Sequence, residues 1–294
     1  MTVSSATPST TPPRLPPPGG AKRRQTRGIW VHVVLMTSLL VSVFPFYWIV
    51  VMATNTSQDI YSYPPKLWFG SNLLSNIQHL FQRMDFFGSL LNTVIVAVGT
   101  TLLVLFFDSL AAFAFAKYQF PGKKALFGLL IGMYVLPTQL AIIPQYEIMV
   151  QLGWVGTLKA LIVPAAANAF GIFWMRQYTT TGVPDELLDA ARMEGCGFFR
   201  LYWYVVLPCV RPALAFLGIY TFIAAWNDYL LPLVMLSNPD KVTLQLALAQ
   251  LYAGHSTDYS MVMSGVLLAV IPLLLVFTFF ARGFIADATK GALR

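Results

Sequence analysis

Residues 185–212 read DELLDAARMEGCGFFRLYWYVVLPCVRP, a short amphipathic and doubly charged segment set between two long apolar stretches. Pro184 suits the first position of a helix, and Asp185, Glu186 and Asp189 crowd acid into the opening turns, where the helix dipole favours negative charge. Gly195 is a natural stop, because glycine adopts the left-handed cap that other residues resist. A short helix capped in this way and rejoined to an apolar run presents a rigid knob to solvent. An ordinary amphipathic connector between two spans has the same local pattern, so the rest of the chain has to decide between them.

The composition settles the environment. Hydrophobic residues make up 57% of the 294 and charged residues only 11%, where a soluble domain carries about 25% charged. The fold class expected is all-α: a polytopic membrane protein whose uncharged stretches reach the length of about 20 residues that a spanning helix needs. Six spans are expected, over residues 29–54, 86–116, 125–150, 156–178, 212–236 and 259–281. The second holds Asp108, the third Pro137 and Pro144, and the fifth Asp228. The fourth has Lys159 and Arg176 at its ends, both able to snorkel toward water. Residues 1–28 are rich in Pro, Ser and Thr before turning basic, and read as a disordered tail. Residues 55–85 form an outer loop, 86–282 a five-helix unit with its charged loop at about 179–205, and 283–294 a second tail.

Charge placement orients the chain. Of the 19 Lys and Arg residues, fifteen precede the first span, follow the second, flank the 179–205 loop or follow the last. Only Lys66, Arg83, Lys159 and Lys241 lie on the other side. By the positive-inside rule both termini and residues 185–195 are cytoplasmic. The net charge of +7 is then a record of topology and calls for no nucleic-acid partner. Cys196 and Cys209 fall in or beside the cytoplasmic loop, where thiols stay reduced. His32, His79 and His255 are isolated from one another, and no metal site is proposed. No phosphate-binding loop, nucleophile elbow, zinc helix or dinucleotide fingerprint occurs; Pro121-Gly122-Lys123-Lys124 lacks the upstream Gly and the Ser/Thr of a phosphate loop and reads as a turn.

Asp189-Ala190-Ala191, Glu194-Gly195 and Leu207-Pro208 together resemble the loop by which permease subunits of bacterial ATP-binding-cassette importers dock their ATPase. Asp189 stands where the family usually has Glu, and Glu194 where Asp is commoner. Further stretches are similar to the maltose and glycerol-phosphate type of importer permease: Leu91-Asn92-Thr93, the 111–117 run AAFAFAK leading into Phe120-Pro121-Gly122, Leu136-Pro137, Ile143-Pro144, and Trp226-Asn227-Asp228-Tyr229-Leu230 with Pro232. The resemblance covers nearly everything after residue 28.

It implies a multi-pass subunit of the bacterial inner (plasma) membrane with no catalytic residue and no cofactor of its own. Its implied partners are a second homologous permease, two ATPase subunits that carry ATP and Mg²⁺, an extracytoplasmic solute-binding protein and membrane lipid. Asp185, Glu186, Asp189, Ala190, Ala191, Glu194, Gly195, Leu207 and Pro208 are the implied ATPase-coupling positions. Asp189 and Arg192 are spaced to pair along the helix.

Asp108 and Asp228 are costly in lipid, so each must face protein or water and find a partner. They can pair with another span and fix the bundle. Alternatively Trp226, Asn227, Asp228 and Tyr229, with Asn168 and Gln139, border the path of a sugar, the amides and carboxylate binding hydroxyls and the rings offering a face. An ion-coupled secondary transporter could use Asp108, Asp228 and the proline-broken third span, and a channel subunit is a third class; neither needs the docking loop. The orientation is directly testable. Ser75→Cys should react with an impermeant thiol reagent added from outside and Thr26→Cys should not, and the reverse pattern would overturn both the topology and the cytoplasmic assignment of 185–195.

Overall fold

The computed structural model describes residues 21–252 and 257–291, with side chains from 29 to 252 and from 257 to 278. All regular structure among the described residues is helical. The order is α1 (Ala21–Thr54), α2 (Ser57–Ile60), α3 (Leu73–Arg83), α4 (Phe86–Lys117), α5 (Lys123–Val135), α6 (Ile142–Gln151), α7 (Lys159–Ile162), α8 (Ala169–Gly182), α9 (Asp185–Met193), α10 (Phe198–Leu201), a π turn at Tyr202–Val206, α11 (Leu207–Cys209), α12 (Arg211–Asn227), α13 (Leu230–Met235), α14 (Leu244–Tyr252) and α15 (Tyr259–Gly291). The chain divides into two units, Met1–Trp48 and Ile49–Arg294. In the first, the side chains from 29 to 46 are exposed on every face of α1, as suits an apolar helix in lipid.

The second unit is organised around α4. Ser89, Thr93, Val96, Ala97, Thr100, Val104, Asp108 and Ala112 are buried, a stripe at the three-to-four-residue spacing of one helix face. Phe87, Leu91, Ile95, Val98 and Leu102 on the other side are exposed and equally apolar. Helices α8 and α12 both pack along α4, and α15 packs on α3 and α12. One core cluster, with Phe113, Met175, Leu188, Leu201, Tyr202 and Val206, lies at the C-terminal end of α4. A second, with Leu80, Phe86, Ala97, Trp226, Leu244 and Val262, lies toward its start.

Six unbroken spans are not what the backbone contains. Among the described residues, three helices are long and apolar enough to cross a membrane, Ile29–Thr54, Phe86–Lys117 and Tyr259–Thr278, and the number rises to five if each of two sharply bent pairs counts as one span. Expected span 125–150 bends by 98° between Lys123–Val135 and Thr138–Gln151. Leu136 precedes Pro137 and is extended, as steric conflict with the proline ring demands. Expected span 156–178 is the short α7, an irregular stretch around Pro164, and the 14-residue α8. Expected span 212–236 ends as a helix at Asn227, since Asp228 is extended, and resumes only as α13. Helix α1 begins at Ala21, within the stretch read as a tail, Lys22, Arg23 and Arg24 being good helix formers; residues 1–20 lie outside the described residues. The tail assigned to 283–294 is likewise helical as far as Gly291.

Broken helices expose backbone groups that lipid cannot satisfy, and α4 supplies their partners. Asn92 Nδ2 donates to the carbonyls of Asp240 (3.0 Å) and Val242 (3.1 Å). The hydroxyl of Thr93 accepts from the Leu244 N–H at 2.7 Å. Leu91-Asn92-Thr93 thus docks the segment that opens α14. Between α1 and α4, Asn76 Nδ2 donates to the carbonyls of Ala53 and Asn55, and Asn55 Nδ2 to those of Val51 and Trp68. Replacing Asn92 by Leu strands the buried Val242 carbonyl, a cost of about 1–3 kcal/mol, and removes the partner of the Asp240 carbonyl. Asn92→Leu should therefore lower the thermal midpoint of the purified protein, and an unchanged midpoint would show that the Asp240–Leu244 segment is held by something else.

Candidate functional site

The charged loop folds as a capped helix standing at the end of the α4 core. Val183, held extended ahead of Pro184, turns the chain out of α8. Pro184 itself is extended and occupies the N-cap, one position before the place expected for it. Helix α9 then runs Asp185–Met193 with Asp185 and Glu186 in its first turn and Arg192 in its last. At its end Gly195 has φ +77°, the Cys196 N–H donates to the Ala191 carbonyl at 3.0 Å, and the Gly195 N–H to the Arg192 carbonyl at 2.9 Å. These two bonds and the left-handed glycine make a Schellman cap, so the last carbonyls of α9 are satisfied without any partner.

One face of α9 is fixed and the other is free. Leu188 is buried, 1% exposed, against the cluster of Phe113, Met175, Val183, Leu201 and Tyr202. Ala191 and Cys196 lean on the same cluster. Ala191 is therefore half-turned inward. Asp185, Glu186, Asp189, Ala190, Glu194 and Gly195 are exposed. So are Leu187 at 49% and Met193 at 89%, two apolar residues absent from the residues singled out in the sequence; their signal was an apolar side chain out of step with the buried face.

Two ion pairs brace the helix. Asp189 meets Arg192 at 2.7 Å three residues on, as the spacing predicted, and Lys117 at the end of α4 meets Asp185 at 2.8 Å. The Lys117 hydrogen bond holds the Asp185 carboxyl below the ordinary carboxylate range. A carboxyl held low in the folded protein contributes stability above its ordinary pKa and loses it as the pH falls through the lowered value, so this bridge is intact at neutral pH.

Leu207 and Pro208 lie on the return arm, not on α9. Leu207 packs against the core cluster, and its N–H donates five residues back to the Tyr202 carbonyl. Pro208 has no N–H and crowds the preceding turn, which the widened π turn accommodates. The arm then bends by 83° between Phe198–Cys209 and Arg211–Asn227. These two residues shape the arm that carries α9 back into the bundle.

The candidates for a substrate path do not converge. Trp226 is 1% exposed and stacked on Phe222 with centroids 5.5 Å apart, so it has no ring face to offer. Asn227 is exposed and donates to the Ile223 carbonyl; Tyr229 is 41% exposed. Asp228 is not inside a continuous span: its Oδ1 accepts from the Leu231 N–H at 3.3 Å, capping α13. Asn168 is likewise a cap, its Oδ1 accepting from the Gly171 N–H at 2.7 Å. Gln139 lies exposed in the bend between α5 and α6. A polar pocket of about 490 Å³ that the sequence did not signal is lined by His79, Gln82, Arg83, Gln250 and Asp258, with Leu251 and Met261. Its residues are scattered over α3, α14 and the start of α15, too far apart in sequence to form a motif. Among the described residues no three His, Cys, Asp or Glu side chains cluster as a metal site would require; His255 lies outside them.

A helical domain with broken, internally capped spans around one central helix, and a short capped helix standing free at one end, is built as the membrane subunit of a transporter. The chain belongs to the family described as the binding-protein-dependent transport system inner membrane component, which matches residues 108–286. It is 33% identical over 263 residues to the lactose transport system permease protein LacG of Rhizobium radiobacter, covering 90% of this chain and 95% of that one. It is 31% identical over 281 residues to the sn-glycerol-3-phosphate transport system permease protein UgpE of Yersinia pestis, covering 92% and 99%. The fold matches a chain in the crystal structure of a bacterial ABC transporter involved in the import of the acidic polysaccharide alginate, with a TM-score of 0.78 at 22% identity over 91% of this chain and 99% of that one.

The two faces of α9 make opposite predictions. Leu188→Ala should cost about 2–5 kcal/mol, as a large buried side chain does, and Leu187→Ala no more than about 0.5 kcal/mol, as an exposed one does. Thermal unfolding of the two purified variants would decide it, and equal losses would mean that α9 is seated on a different face.

Proposed function

We propose that this chain is one of two permease subunits of an ATP-driven importer and forms, with a second and homologous permease, the path for a sugar or sugar derivative handed over by an extracytoplasmic solute-binding protein. The single observation that carries the reading is α9: a helix held on one side by Leu188, Lys117 and its own caps, and open on the other. An ATPase gripping that open face moves a preformed lever. Asp185, Glu186, Asp189, Ala190, Glu194 and Gly195 make the contact, together with Leu187 and Met193. Leu207 and Pro208 set the return arm, and Ala191 the seat. ATP and Mg²⁺ bind to the two partner ATPases, and this chain carries out no chemistry. Both termini and α9 face the cytoplasm, in keeping with the distribution of Lys and Arg.

Support for a sugar comes from the relatives, whose names specify lactose, arabinooligosaccharides and sn-glycerol-3-phosphate. The polar pocket of His79, Gln82, Arg83, Gln250 and Asp258 offers side chains suited to hydroxyl groups at the end of the molecule opposite α9. No observation favours an ion-coupled transporter or a channel; Asp108 and Asp228 each use one carboxylate oxygen as a backbone cap.

Gly195 separates structure from contact. A Cβ there would meet nothing within 4 Å, so any substitution costs only the left-handed backbone, about 1–2 kcal/mol. Gly195→Ala and Gly195→Leu should thus lose similar stability, while only Gly195→Leu places bulk on the open face. Uptake by the reconstituted complex should survive in the first and fail in the second. Full uptake with Gly195→Leu would refute the coupling role of α9.

A further inference from the structure

Asp108 is fully buried in the middle of α4, and its Oδ1 accepts from the backbone N–H of Asn168 at 3.1 Å. That N–H opens α8, whose Gly171 N–H is taken by the Asn168 side chain. Glycine at 171 is what lets the carboxyl approach: a Cβ there would collide with Asp108 Oδ2. Nine residues further along α4, Lys117 Nζ reaches the Thr180 carbonyl at 3.5 Å and Asp185 Oδ1 at 2.8 Å. Lys117 is itself enclosed, with 7% of its side chain exposed. The start of α8 is thus held by Asp108, and its end, with the first residue of α9, by Lys117. The two helices run in the same sense, and between the two ties Phe113 and Met175 share the buried core with Leu188 of α9.

We propose that Asp108 and Lys117 clamp both ends of α8 to α4, so that α4, α8 and α9 move as one rigid body, and that Asp108 is a positioning residue for coupling although it lies far from any ATPase contact. The inference rests on the coupling role of α9 and adds which helix that motion is delivered to. Motion applied to α9 enters the bundle through α4, because the one hinge available between α8 and α9, at Val183-Pro184, is bridged by the Lys117 contacts on its two sides. Asp108 does at the start of α8 what a lipid-exposed helix end could not do for itself: it gives an orphan N–H an acceptor and places a carboxyl at the positive end of the helix dipole.

The test uses the complete transporter with its ATPases and binding protein in nanodiscs, carrying Cys196→Ser and Cys209→Ser. Spin labels are attached through Phe107→Cys on α4 and Arg192→Cys on α9, an exposed position outside the proposed ATPase contact, and their separation is measured by pulsed electron resonance without nucleotide and with ATP trapped. The rigid body predicts one distance in both states, to within about 2 Å, the size of an ordinary interface adjustment; a larger shift overturns the clamp while leaving the coupling reading of α9 intact. In the same labelled complex Asp108→Ala should broaden the distance distribution, and an unchanged distribution also overturns the proposal. Because Asp108→Ala can lower the yield, a second arm reads the pair by its coupling. Gly171→Ala should reduce uptake about tenfold, inside the range of coupling factors between linked sites, but should have no further effect in an Asp108→Ala background, where the colliding carboxyl is gone. An equal loss in both backgrounds counts against the clamp. If α9 itself did not couple, the Gly195 variants would retain uptake whatever the distances showed, so the two readings fail separately.

Discussion

Lipid gives no hydrogen bonds, and the arrangement of this protein is a consequence of that constraint. A continuous helix satisfies its own backbone; a broken one leaves N–H and C=O groups that must be met from within the protein. Here one helix meets several of the breaks. Asn92 and Thr93 serve the segment that opens α14, Asp108 the start of α8, and Lys117 the corner into α9. Ser109 adds a hydroxyl contact of 2.8 Å to Tyr202 in the π turn of the return arm. Each of these side chains would be destabilising on a lipid face and is tolerated only because α4 is surrounded. The polar residues within its otherwise apolar sequence therefore record where other segments stop and start.

That dependence explains which parts of the fold were legible. A span such as 86–117 announces itself by uninterrupted apolar length, and α9 by acid at its start and glycine at its end, because both signals are local. Gly195 is the clearest case: the cap needs a left-handed residue, and the left-handed φ is there. The interruptions were less legible. Pro137 and Pro144 are tolerated in many spans, and nothing in residues 125–150 fixes whether proline kinks the helix or turns it through 98°; the answer depends on which groups meet the freed backbone. For Asp108 the sequence demanded a partner but could not name it. The partner is a backbone N–H sixty residues away, and a backbone donor has no side-chain signature. Asp228 misled for the same reason: a charge inside an apolar run reads as a buried functional group, whereas the run is interrupted at that residue and the carboxyl caps α13.

The candidate site divides along the same line. Residues whose role is local to α9, such as the Asp189 and Arg192 pair, lie where the spacing put them. Residues grouped only by proximity in sequence scatter: Trp226 faces the core, Asn227 and Tyr229 are exposed, and Asp228 caps a helix. Consecutive residues point to different faces of a strand or helix, and across a helix terminus the backbone itself changes direction, here between Asn227 and Asp228. The pocket around Arg83 and Gln250 is the converse case, assembled from three helices with no contiguous motif to betray it.

The state of α9 in the isolated chain bears on how force would be transmitted. Its N-terminal acids, its Arg192 and Asp189 pair and its Schellman cap support the helix before anything binds. A segment that ordered only on binding would lose part of the interaction energy to its own folding. A preformed one leaves that energy available for displacement. The exposed Leu187 and Met193 mark the side on which water is the unfavourable neighbour, and the buried Leu188 with the Lys117 tie marks the side that cannot yield without disturbing α4. A partner that covers the first side therefore pushes on the second, and the only compliant element in line is the bundle beyond it.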